Sequence, residues 1–329
     1  MSCMHRLREL GLTLFAALFA ALVVGFAPAQ AAWPERPIQI IVPYAAGGGS
    51  DVMTRLIAKV MASQTGHAFV VENRPGAGGI IGTVAVARAK PDGYTLLLVS
   101  PATHGINPYL YRNPGYDPIR DFTLVGQIGN SAMILFANAA LPASNLKELI
   151  ALVKSQPGKY AYGSPGAGTQ HHLGMEQLKF RAGLDMPHVA YKGAGPAMTD
   201  LVAGHLPLMI GGFGPAAAYL AQGKIKVIGS ANSRRQASAK DVPLFAETVN
   251  GVGVGSWVGL GAPAGTPLEV VQTLGGWMAK AMTDDSLKQG MSKIGVDVEY
   301  LPGDAFGRII ATELPLWKEA IEPSGAKAD

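Results

Sequence analysis

Three glycine-rich segments stand where chemistry could be done: AAGGGSD (residues 45–51), NRPGAGG (73–79) and YGSPGAGT (162–169). Each follows a short apolar, β-rich run and precedes a run with helical spacing. Glycine lets successive backbone N–H groups converge on one point, and a helix N-terminus adds partial positive charge. The first two turns, side by side on adjacent strand ends, would form an anion site that needs no charged side chain. The same glycines also suit tight strand-to-helix turns that bind nothing. Neither turn matches a nucleotide fingerprint: the Lys-Ser/Thr ending of a phosphate-binding loop is missing, and so is the Gly-x-Gly-x-x-Gly spacing. Asp51 reads as a helix N-cap rather than a catalytic acid. Arg74 can pair with a ligand carboxylate or sit solvated in its turn.

The third turn carries hydroxyls. Ser164 and Thr169 can donate to a carboxylate, and Thr169 can also cap the helix that follows. His171 and His172 are neighbours, so on a helix they point about 100° apart and cannot chelate one metal. No Glu stands where a zinc hydrolase needs it. Tyr191-Lys192-Gly193 follows another strand, with Lys192 either an anion contact or a solvated turn residue. No Ser/His/Asp arrangement and no carboxylate pair appears, and the single cysteine, Cys3, lies in a segment expected to be removed. Neither a catalytic centre nor a metal nor a cofactor is expected.

The elements that must position these turns follow from periodicity. Residues 38–44 (IQIIVPY), 68–72 and 94–100 (YTLLLVS) read as strands, with helices over 52–63 and 80–90 between them. That β-α-β-α-β order implies a parallel sheet with right-handed crossovers. The pattern restarts with helices over 145–155, 169–182, 196–204 and 216–222, alternating with strands over 160–164, 186–190, 206–210 and 225–230. The end of the chain (267–283, 284–294, 304–320) reads as mostly helical. The simplest arrangement leaves a first lobe, builds a second and returns, crossing near 125–137 and 251–262. Two crossing strands make a hinge over a cleft, and ligand sites of α/β sheets lie outside the carboxyl ends of the strands.

The N-terminus reads as an export signal. Arg6 and Arg8 precede an uncharged apolar run over 11–27, and Ala29-Gln30-Ala31 places small residues at the cleavage positions. This gives a signal peptide over 1–31, a first lobe from 32–130 and 257–329, and a second lobe from 131–256. The leader holds two Arg and one Glu, so its removal lowers the formal charge of +4 by one. With 48% hydrophobic residues and 15% charged, the chain can build a core and is not disordered. No Lys/Arg cluster is interleaved with aromatics, which argues against nucleic acid as a partner.

The segments PYAAGGGSDVMTR, VVENRPGAGGIIG, KPDGYTLLLVS, YGSPGAGTQHHLGMEQLK, HVAYKGAGPAMTDLVAGHL and DVPLFAET, in this order and spacing, resemble the Bug family, the solute receptors of tripartite tricarboxylate transporters. The resemblance runs over essentially the whole mature chain. It implies an α/β, type II periplasmic binding protein that closes like a flytrap, each lobe a mostly parallel sheet flanked by helices. It further implies a small carboxylate ligand, membrane permease subunits as partners, a periplasmic location and a monomer. Family roles map the first carboxylate contact onto Tyr44, Ala46, Gly47, Asp51, Gly76, Ala77, Gly78 and Gly79. The ligand's other end maps onto Ser164, Gly168, Thr169 and His172, with Tyr191 and Lys192 as further lining.

This chain departs from the pattern in two places. Ala46 stands where Pro is frequent. Pro207 and Gly211, in LPLMIGG, stand where receptors of this group commonly carry acids. If the second acid faces the cleft, Gly211 implies a ligand without an ammonium group, and a larger one. Pro207 lacks a backbone donor, which suits an edge strand or the first residue of a strand. Two other functions would use the same cleft: a ligand-sensing accessory of a membrane signalling system, and a periplasmic hydrolase.

Overall fold

The computed structural model describes residues 33–191 and 193–324, so the expected signal peptide and Lys192 lie outside the described residues. Residues 33–35 form no helix or strand. From Arg36 onward the chain packs as one compact unit.

The first half is built as the periodicity indicates: β1 (Ile38–Val42), α1 (Gly49–Thr65), β2 (Phe69–Asn73), α2 (Ile80–Ala87) and β3 (Thr95–Val99). A π-helical turn over Ala102–Ile106 then runs into the short α3 (Asn107–Leu110). The chain crosses through β4 (Phe122–Ser131) into β5 (Ile134–Asn138), with only Ala132 and Met133 between the two strands. The second half adds α4 (Leu146–Ser155), β6 (Tyr162–Ser164), α5 (Gln170–Ala182), β7 (His188–Ala190), α6 (Ala194–Ala203), β8 (Leu208–Gly211), α7 (Phe213–Ala221) and β9 (Ile225–Ser230). The return is β10 (Trp257–Pro263), followed by α8 (Leu268–Ala281), α9 (Asp285–Lys293), β11 (Val296–Pro302) and α10 (Gly303–Ser324).

Two sheets result, ordered β11-β4-β10-β3-β1-β2 and β7-β6-β8-β5-β9. Both are mixed. The β-α-β crossovers make β1–β2, β1–β3, β6–β7 and β6–β8 parallel, while the crossing strands and β11 enter antiparallel. β1 and β3 are almost completely buried, as their unbroken apolar runs require. β8 lies inside its sheet rather than at an edge, and Pro207 stands just ahead of it, where a missing N–H breaks no ladder.

Asn232 clasps the two crossings. It is 1% exposed; its side-chain oxygen accepts from Met133 N–H (2.7 Å) and its amide donates to Ser131 O (3.0 Å) and Ser256 Oγ (2.9 Å). The end of α10 departs from the expected division of the chain. Trp317, Ala320 and Ile321 join the buried cluster of Leu135, Leu149, Leu173 and Phe245 around the second sheet. The C-terminal helix therefore reaches from the first sheet into the second core, because its last turns carry large apolar side chains that burial favours. Among the described residues no helix is long and apolar enough to cross a membrane.

Candidate functional site

A cavity of about 530 Å³ lies between the two sheets. The first sheet's side contributes Tyr44, Gly49, Ser50, Met53, Ser100, Pro101 and Ala102, and the segment leading into β11 contributes Ile294, Gly295 and Val296. The crossings supply Ser131, Ala132, Ser256 and Val258. The second sheet's side brings Pro165, Thr169, Gln170, His171, Ala194 and Gly212. Among the described residues no Asp, Glu, Lys or Arg lines it.

The first turn reaches the cavity later in the chain than the family roles implied. Gly47 takes φ +81°, a left-handed conformation open to glycine, and this starts α1 at Gly49. The first helical bond is Val52 N–H to Gly48 O, so the amides of the first turn have no intrahelical acceptor. Gly49 and Ser50 line the cavity, whereas Ala46 and Gly47 are exposed and do not. Asp51 is the third residue of α1 and not its N-cap, which is Gly48. Its buried carboxylate accepts the Gly47 N–H (2.9 Å) and pairs with Arg55 (2.9 Å), and the Arg55 partner first, then that N–H, hold its pKa below the usual range. Asp51 thus locks the turn from behind and does not line the cavity.

Gly76, Ala77, Gly78 and Gly79 all take positive φ, and they too stand outside the lining. Gly79 N–H bonds to Gly76 O (2.9 Å), and Asn107 Nδ2 donates to Gly78 O (3.0 Å), which docks this turn on the α3 segment. Asn73 Nδ2 donates to Tyr44 O (3.0 Å) and so joins the second turn to the first. Tyr44 lines the cavity. Its hydroxyl lies 2.5 Å from Ser100 Oγ, and burial pushes its pKa up to about 12.

In the third turn Thr169 lines the cavity and caps α5, its Oγ1 accepting the His172 N–H (3.3 Å). Ser164 is fully buried, with its hydroxyl 2.7 Å from His188 Nε2 and donating to Gly166 O (3.0 Å), so it faces away from the cavity. Gly168 donates its N–H to His172 Nδ1 (3.1 Å), and the His172 ring stacks on His188 with centroids 4.0 Å apart. His172 therefore braces the turn, and His171 is the histidine that lines the cavity. Burial lowers the pKa of His171 and of His188 to about 4 and also lowers that of His172, so all three are neutral at neutral pH. Tyr191 donates its hydroxyl to Asp200 (2.7 Å) and lies outside the lining. Gly211 is buried in β8 facing Met209, and its neighbour Gly212 is the residue that reaches the cavity.

Four helix N-termini thus meet at one cavity: α1 through Gly49 and Ser50, α5 through Thr169 and Gln170, α6 through Ala194 and α7 through Gly212. Each carries roughly half a positive charge. Such an arrangement receives an anion and offers no counter-charge to a cation. Among the described residues no group of three or more His, Cys, Asp or Glu side chains could hold a metal.

Residues 53–326 match the model of the tripartite tricarboxylate transporter family receptor. The chain belongs to that family. Its Bug members are close by: BugT of Bordetella pertussis is 32% identical over 94% of this chain and 96% of its own length. The periplasmic binding protein BugD superposes with a TM-score of 0.71 at 34% identity, covering 90% of this chain and 99% of that one. A Rhodopseudomonas palustris relative solved with adipate gives 0.74 at 32% identity, covering 89% and 98%. The receptor therefore has the two-lobed α/β fold of the Bug family and is a solute-binding protein, not an enzyme.

Ser100, Pro101 and Ala102 were not singled out from the sequence, although they stand at the carboxyl end of β3, where α/β sheets place ligands. Ser131, Ala132, Ser256 and Val258 lie on or beside the crossings that sequence reasoning located without assigning them a role. Residues 294–296 gave no signal.

Proposed function

We propose that this Bug-family receptor captures a small carboxylate in the cavity between its lobes and hands it to the permease subunits of a tripartite tricarboxylate-type transporter. The observation that carries the reading is the meeting of four helix N-termini at a cavity where no charged side chain is found among the described residues. The amides of Gly49 and Ser50 and the hydroxyl of Ser50 would hold the carboxylate from the first lobe. Thr169, Gln170 and His171 would meet the ligand from the second. Charge-assisted hydrogen bonds contribute roughly 1.5–3 kcal/mol each, so three or four with apolar contact reach about −8 kcal/mol, a micromolar affinity.

A relative holding adipate supports a carboxylate ligand of this size. That no Asp or Glu lines the cavity among the described residues argues against an ammonium group on the ligand, because burying one without a partner is costly. The receptor would act in the periplasm as a monomer after removal of residues 1–31. Its lobes would divide near residues 131 and 256, with the end of α10 packed on the second.

Titration of the mature protein against adipate, hexanoate, citrate, glutamate and glucose tests the reading. Heat on binding an acid without an ammonium group is the expected result. Binding of glutamate or glucose alone would overturn it.

A further inference from the structure

A second cavity of about 390 Å³ adjoins the first, and Ala194 and Gly212 line both. Its remaining walls are Met198 on α6, Met209 on β8 and Tyr219 on α7, with the exposed Gly195 and Thr199 at its rim. The walls are therefore chiefly thioether, ring and methyl groups, and methionine adapts its shape to varied apolar surfaces. Glycine at 211 keeps the wall so: alternate strand residues share a face, and a Cβ at 211 would come 3.0 Å from Met209 Cε. Tyr191 and Asp200, the nearby polar pair, are bonded to one another.

We propose that this side chamber takes an apolar tail of the ligand whose carboxylate sits in the main cavity, so that the receptor selects acids carrying an extended alkyl or aryl group. The proposal rests on the carboxylate reading of the main cavity, and deepens it by naming what lies at the ligand's far end.

Titration calorimetry with straight-chain monocarboxylates from butanoate to decanoate, with adipate alongside, tests it. In the native receptor affinity should rise about fourfold for each added methylene, and keep rising beyond hexanoate. Gly195→Leu fills the side chamber alone, since a Cβ there meets nothing within 4 Å and Gly195 does not line the main cavity. Thr199→Leu does the same from the next helical turn. Both variants should bind butanoate, hexanoate and adipate as the native receptor does, and decanoate at least tenfold more weakly. A rise that stops at hexanoate in the native receptor, or full decanoate affinity in both variants, would overturn the side chamber while leaving the main site standing. Failure of adipate and every monocarboxylate to bind would overturn both.

Discussion

Ser50→Asp separates the effect of the anion site from the effect of folding, because the two should move in opposite directions. Ser50 is the second residue of α1 and lines the cavity. A carboxylate at a helix N-terminus stabilises the helix by about 0.3–1 kcal/mol, so the ligand-free variant should melt no lower than the native receptor. A bound carboxylate would then face a like charge at roughly 5 Å, which costs about 3 kcal/mol at an effective dielectric of 20. Adipate affinity should fall by about two orders of magnitude, whereas Ser50→Asn, of similar shape and uncharged, should lose far less. Calorimetry with adipate and thermal melts without ligand read the two effects. If Ser50→Asp binds adipate within twofold of the native receptor, no carboxylate sits at the start of α1 and the proposed site is wrong.

Asn232→Ala should destabilise the fold by about 2–4 kcal/mol in urea denaturation, since it leaves the buried Met133 N–H without its acceptor and unties both crossings. His104 is fully buried between Tyr116 and Phe122, and burial lowers its pKa to about 3. Its neutral form is the folded one, so its contribution is complete above about pH 6.5 and lost as pH falls toward 3, at up to about 1.4 kcal/mol per pH unit. His104→Phe should flatten that limb in denaturation curves taken at pH 7, 5.5 and 4.5, though His171, His172 and His188 will still titrate. Trp317→Ala should cost about 3–5 kcal/mol by the same measurement, because the ring is fully buried in the second core.

How much of this was legible depends on what each signal encodes. β1 to β3 announce themselves because apolar runs are punctuated by Gly and Pro-Asp-Gly, local chemistry that no tertiary contact overrides. β11 has no strand signal in the sequence, because Asp297 and Glu299 interrupt its apolar pattern. Those acids are held by groups distant in sequence: Ser238 N–H donates to Asp297 (2.9 Å) and Asn130 Nδ2 to Glu299 (2.6 Å). The glycine turns were legible as turns, but not which of their amides face the cleft. That depends on where α1 begins, which Gly47 decides through its positive φ and Asp51 reinforces from behind. Likewise the 100° between His171 and His172 shows that the two rings diverge, while only the stack on His188 decides which one turns inward.

Among the described residues the lining carries no charged side chain, and this also bears on release. A lysine in the cavity would follow the ligand as the lobes part, because its stem is flexible; helix amides cannot, being fixed to their own lobe. In the proposed receptor the donors of α1 belong to one lobe and those of α5, α6 and α7 to the other, so opening strips the ligand of one set entirely. Losing two charge-assisted bonds of roughly 1.5–3 kcal/mol each weakens binding by about two to four orders of magnitude. That is enough to turn a micromolar closed complex into one that lets go at millimolar solute. A lysine introduced at the start of α5, Gln170→Lys, should therefore raise adipate affinity in calorimetry and slow its dissociation in stopped-flow. Faster dissociation with tighter binding would show that release does not depend on how the donors are divided between the lobes.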